Sequence, residues 1–197
     1  MNTTIPTNWI ILLGILAVVL LAVAIGFVSQ RQRQSKRLRQ RFGAEYDRAV
    51  TEFGRNKAEA ELKAREKRVE KLTIIPLAPA DAARFTQAWT ALQGRFIDNP
   101  KGVVVEADHL VRELMLKRGY PMGDFEMRAA DISVDHPAVV ENYRAAQAIA
   151  VRDERGEADT EELRKAVVHY RTLFDELLGE RPAKRAESPA AQIPVHS

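Results

Sequence analysis

The chain has no cysteine in its 197 residues, which excludes disulfides, thiolate nucleophiles and cysteine-based zinc or iron–sulfur sites together. It also lacks the signatures that announce common chemistry: no GxGxxG, no phosphate-binding P-loop, no GxSxG and no HExxH. There is no internal repeat. Residues 1–28 contain no Asp, Glu, Lys or Arg, and the stretch FVSQRQRQSKRLRQRF, Phe27 to Phe42, contains no acidic residue.

That stretch holds six cations instead: Arg31, Arg33, Lys36, Arg37, Arg39 and Arg41. They account for the overall net charge of +3, because the remaining 24 of the 30 basic residues face 27 acidic ones. A domain built to neutralise phosphates carries its positive charge on the folded body. This body is slightly acidic, so no specific nucleic-acid partner is expected.

Upstream of the cations lies WIILLGILAVVLLAVAIGFV, Trp9 to Val28, without a charge. Twenty helical residues at about 1.5 Å each cover the roughly 30 Å hydrocarbon core of a bilayer. A signal peptide is the rival reading, since Ala22-Val23-Ala24 resembles a small-x-small cleavage site. Against it stand a leader without basic residues, an apolar run that continues through Val28, and the cations directly after. A dense positive cluster flanking a span resists translocation and marks the cytoplasmic side. The expectation is an uncleaved single-pass anchor with Trp9 at the outer interface and the C-terminal domain cytoplasmic. The six cations set that orientation and can also meet anionic headgroups.

From Ser29 to Leu72 the sequence is polar and free of proline, and reads as an exposed charged stalk helix. Phe42, Tyr46, Ala49, Val50 and Phe53 give it a short apolar stripe, Glu59–Lys63 and Glu61–Arg65 give it i,i+4 pairs, and Gly43 and Gly54 are kink sites. A coiled coil along Leu62, Val69 and Leu72 is the alternative, with Arg55 and Arg65 on the same seam. Pro76 and Pro79 then break the pattern. Phe85, Trp89, Leu92 and Phe96 form one face of a helix over Asp81–Ile97, a core face by its spacing. Asn99 and Pro100 start the next helix, which buries Val104, Ala107, Val111 and Leu114 and ends at Gly119; Val103–Val105 as a strand is the alternative. A short helix is expected near Asp124–Ile132, then a turn at Ser133–His136. Asp135 is expected to cap a helix with Pro137 in its first turn. That helix buries Val139, Val140, Tyr143 and Ile149. The last helix begins at Asp159 or Thr160, with Glu162 completing a capping box. It runs to Gly179 along Leu163, Val167, Tyr170, Phe174 and Leu177, making an antiparallel hairpin with its predecessor. The tail, residues 180–197, reads as disordered.

The candidates for chemistry are Asp108, His109, Asp131, Asp135 and His136, a set able to hold a metal or act as a general acid–base pair if brought together. No spacing among them is diagnostic of ligation, so no metal and no cofactor is assigned; the plainer reading makes His109 a boundary residue and Asp135 a cap.

The stretches GAEYDRAV, KAREKRVEKL, RGYPM, RAADISVDHPAVVENYR and TEELRKAVVHYR resemble an uncharacterised group of bacterial single-pass proteins, described as hypothetical, membrane or secreted proteins. The resemblance implies no activity, cofactor or catalytic residue, and its "secreted" description conflicts with the orientation just argued. The expected protein is all-α: a short extracytoplasmic N-terminus (1–8), a transmembrane helix (9–28), a basic then charged stalk (29–74), a helical domain (75–179) and the tail. Its expected role is a scaffold or adaptor at the bacterial inner membrane, with the lipid bilayer and another protein as partners. The alternatives are an enzyme or metal-binding domain using Tyr120–Pro137, or a domain facing the periplasm.

Overall fold

The structure, a computed structural model, describes the backbone of residues 7–179 and side chains from residue 15 onward. Expectations for the extracytoplasmic leader, the Trp9 ring and the tail fall outside what it describes. The described residues are all-α, with no strand. They form two compact units, Met1–Ala60 and Glu61–Ser197, divided within one helix.

The first unit opens on α1, Thr7–Phe42, followed by α2, Ala44–Phe53, and the start of α3, Arg55–Val69. From Ile15 to Phe42, α1 is long and apolar enough to cross a membrane, and none of its apolar window is buried. A signal sequence passes the same test of length and composition. Two glycines set the breaks. Gly43 (φ +54°) and Gly54 (φ +75°) adopt a left-handed backbone in which a Cβ is disfavoured, so each ends one helix and releases the next in a new direction.

The expected exposed stalk is therefore not what the chain forms. Leu38, Phe42, Tyr46, Ala49 and Ala58 are buried, so the polar stretch folds onto the end of α1. Polar contacts fix the arrangement. Arg31 donates to Asn56, the Ser35 hydroxyl to Glu59 Oε1 at 2.5 Å, and the Tyr46 hydroxyl to the same oxygen at 3.0 Å. Both pairings advance together along α1 and the first turn of α3, so these two stretches run the same way.

The second unit holds the rest of α3, then α4 (Pro79–Gly94), α5 (Pro100–Lys117), α6 (Phe125–Asp135), α7 (Val140–Glu154) and α8 (Thr160–Gly179). Leu62 and Val69 are fully buried and Leu72 packs against the core, so the residues of the coiled-coil alternative are consumed inside the chain. The core lies where α8 meets α5 and α7, with α4 laid on α5. Trp89 stacks on Phe174 at 4.6 Å between ring centroids, and Tyr143 meets Tyr170 edge-on at 6.3 Å.

Local sequence explains most boundaries. Asn99 Oδ1 accepts from the Gly102 amide at 3.0 Å with Pro100 in the first turn, and the valines after it are helical, not a strand. Asp159 and Glu162 form the reciprocal box, at 2.8 and 3.1 Å. Around Asp135 the expectation is corrected. Asp124 caps α6 by accepting from the Met127 amide at 2.8 Å, and α6 continues through Ser133 to Asp135 instead of turning. The Ser133 hydroxyl returns to the Ala130 carbonyl at 2.6 Å, so it is satisfied inside the helix. Helix α7 then starts at Val140 with Val139 before it and no side-chain cap.

Candidate functional site

Two sets of residues concentrate polar chemistry, one around α6 and one on α1. On α6, Asp131 is wholly buried. Arg68 of α3 reaches its Oδ1 with both Nε and Nη2 at 2.7 Å, while Oδ2 is buried with no hydrogen-bond partner. Asp135 accepts from the Tyr120 hydroxyl at 3.3 Å. His136, 2% exposed, places Nδ1 at 3.2 Å from Glu176 Oε1 on α8. Beside the same helix end, the buried Arg118 donates through Nη1 to the Leu177 carbonyl at 2.5 Å, supplying a donor to a carbonyl of the last turn of α8.

On α5, Asp108 pairs with Arg112 at 2.8 Å, one turn on. His109 borders a shallow hollow of about 280 Å³ between α4 and α5, with Ala88 and Leu92 as its apolar floor and the Arg95–Glu106 ion pair at its rim. Glu113, on His109's helix face by spacing, instead binds Arg84 at 3.0 Å. The five candidates thus have separate roles: Asp131 and His136 bind α6 to α3 and α8, Asp135 holds Tyr120, Asp108 holds Arg112, and His109 lies at the rim of the hollow. Among the described residues no three His, Asp or Glu side chains converge as metal ligands would.

Sequence reasoning missed Arg68, Arg118 and Glu176, because each meets its partner across a large separation along the chain and no local spacing signals it. It also missed the phenols between α5, α7 and α8. Burial pushes the Tyr143 hydroxyl above its usual pKa, although the Arg128 guanidinium donating to it at 3.0 Å pulls the other way. Burial and then the Asp108 charge raise Tyr170 further. Both groups favour the neutral phenol in the folded state, so their contribution to stability is full below the ordinary value of 10.0 and is lost as pH rises above it. In an alkaline titration, tyrosinate absorbance from these two residues is expected to appear only together with loss of helical circular dichroism. Two normal phenol titrations in a chain that remains helical would contradict their burial.

On α1 all six cations of the basic run are exposed. Arg31 is engaged by Asn56, and Arg39 by Asp47 at 3.4 Å.

No family model, no curated protein and no solved structure matches the chain.

Proposed function

We propose that the protein is a single-pass protein of the bacterial inner membrane whose helical body acts as a scaffold or adaptor on the cytoplasmic side. The observation that carries this reading is the outer surface of α1. Ile15, Leu16, Val18, Leu20, Leu21, Val23, Ile25 and Phe27 are each more than half exposed, on a helix that continues without a break into six cations. In water such a surface is costly, whereas in lipid it is solvated, and flanking cations hold their end in the cytoplasm. The continuation of α1 past Ala24 into a packed end at Leu38 and Phe42 favours an anchor over a cleaved leader.

An interaction role is favoured over catalysis because the candidate side chains of Tyr120–Pro137 are engaged by the fold: Asp131 by Arg68 of α3, Asp135 by Tyr120, His136 by Glu176 of α8. The test is topological. A cytoplasmic reporter fused after Gly179 is expected to be active and a periplasm-dependent reporter silent, with the chain keeping its full mass in membranes. The reverse pattern, or loss of the first 24 residues, overturns the reading. Crosslinking in native membranes followed by pull-down then identifies the protein partner.

A further inference from the structure

The first unit sorts its charges by direction. Between residues 29 and 60 it carries nine Lys or Arg and four Asp or Glu. Two of the acids are turned inward: Glu45 is 1% exposed and Glu59 6%. The two at the surface are matched locally, Asp47 by Arg39 at 3.4 Å and Glu52 by Arg48 at 3.6 Å. On α1 the inward stripe is Ser35, Leu38 and Phe42, and at 3.6 residues per turn Arg33 and Lys36 project from the opposite side. Neither has a protein partner among the described residues, and no acid of this unit is left to screen them.

Their height along the helix is set as well. Counting from Val28, where the apolar run ends, Arg33 lies about 7.5 Å and Lys36 about 12 Å further along α1. The polar layer of a bilayer is roughly 5–8 Å deep on each side, and both side chains are long enough to reach back into it. We infer that the outward face of α1 at Arg33 and Lys36 binds the phosphate of anionic lipid headgroups. This rests on the membrane reading above and gives it a lipid preference. The recognised chemistry is a phosphate ester, which nucleic acid and inorganic phosphate share. Lipid is the occupant because α1 carries these cations straight out of its apolar segment, while the chain after residue 41 has more acidic than basic residues.

The experiment uses the full chain reconstituted in phosphatidylcholine vesicles containing trace spin-labelled phosphatidylglycerol or spin-labelled phosphatidylcholine, and reads the motionally restricted fraction of each probe. At low salt the anionic probe is expected to be preferred at least about fivefold, the ratio that a single cation near such a headgroup gives. In 1 M salt, where the Debye length is about 3 Å, the preference disappears. R33Q/K36Q removes it at low salt, while R39Q, whose cation is already matched by Asp47, leaves most of it. Circular dichroism checks that both variants remain helical. Equal restriction of both probes by the native chain refutes the lipid preference while the span stands, and a preference that survives R33Q/K36Q refutes these two residues as its source. Absence of any restricted lipid refutes the span and the inference together. Duplex DNA bound by the detergent-solubilised chain and not displaced by phosphatidylglycerol micelles or inorganic phosphate overturns it in favour of nucleic acid.

Discussion

Replacing Trp89 by alanine is expected to lower the unfolding free energy by about 3–5 kcal/mol, because the indole fills the space between α4 and α8 and its loss leaves a cavity. Trp89 is 3% exposed and stacks on Phe174, with Phe85 and Leu92 buried on the same face of α4. A domain of this size has only about 5–15 kcal/mol to lose, so a large share of stability goes with one side chain. The indole nitrogen is buried without a hydrogen-bond partner, so part of its burial is unfavourable. Trp89→Phe keeps a ring against Phe174 and removes the unmatched donor, and is expected to be much milder than alanine. Urea unfolding of the detergent-solubilised chain, followed by circular dichroism, measures both. A loss below about 0.5 kcal/mol for alanine would mean that the ring is not core.

Arg68→Ala is expected to be as damaging, by a different route. It strands the Asp131 carboxylate, wholly inside the protein, without the cation that pairs with it, and breaking a buried pair from one side costs about 3–5 kcal/mol. The Arg68 side chain is 35% exposed, which places the loss toward the lower end. Removing both charges in R68M/D131L is expected to recover most of it, since a matched apolar pair replaces a buried ion pair at little cost. The same urea series, read as a double-mutant cycle, reports the coupling. Additive losses would show that the two side chains act independently.

These two residues also mark where sequence reading succeeds and stops. The aromatic face holding Trp89 is a local pattern, and so are the Asn99 cap, the Asp159–Glu162 box and the stripe of α8; each was legible because partner and signal lie within one or two turns. Asp131 was recognisable as a polar residue of interest, but Arg68 lies 63 positions away in a stretch whose composition reads as solvated stalk. The same composition hid the fold of the first unit. Leu38 is the lone apolar residue among the cations between Arg31 and Arg41, and the buried acids Glu45 and Glu59 belong to segments that look surface-exposed until Ser35 and Tyr46 are seen to bind one of them. Asp135 misled for a related reason: an Asp shortly before a proline is a frequent cap, yet here its carboxylate is held by Tyr120 and the helix ends after it.

Helix α8 packs against both α5 and α7 and accepts Arg118 at its last turn. Its hairpin with α7 closes a short stretch of chain, from Asn142–His169 at one end to Arg152–Glu162 at the other, whereas its contact with α5 joins residues much further apart, as Arg118 at the end of α5 is from Leu177. The near pairing costs little loop entropy and can form while the distant one is still open. In the finished protein the order reverses: the amides at the middle of α8 exchange with solvent only when both neighbours let go. Their exchange therefore reports global opening, while the ends of α4 and α6 report local breathing.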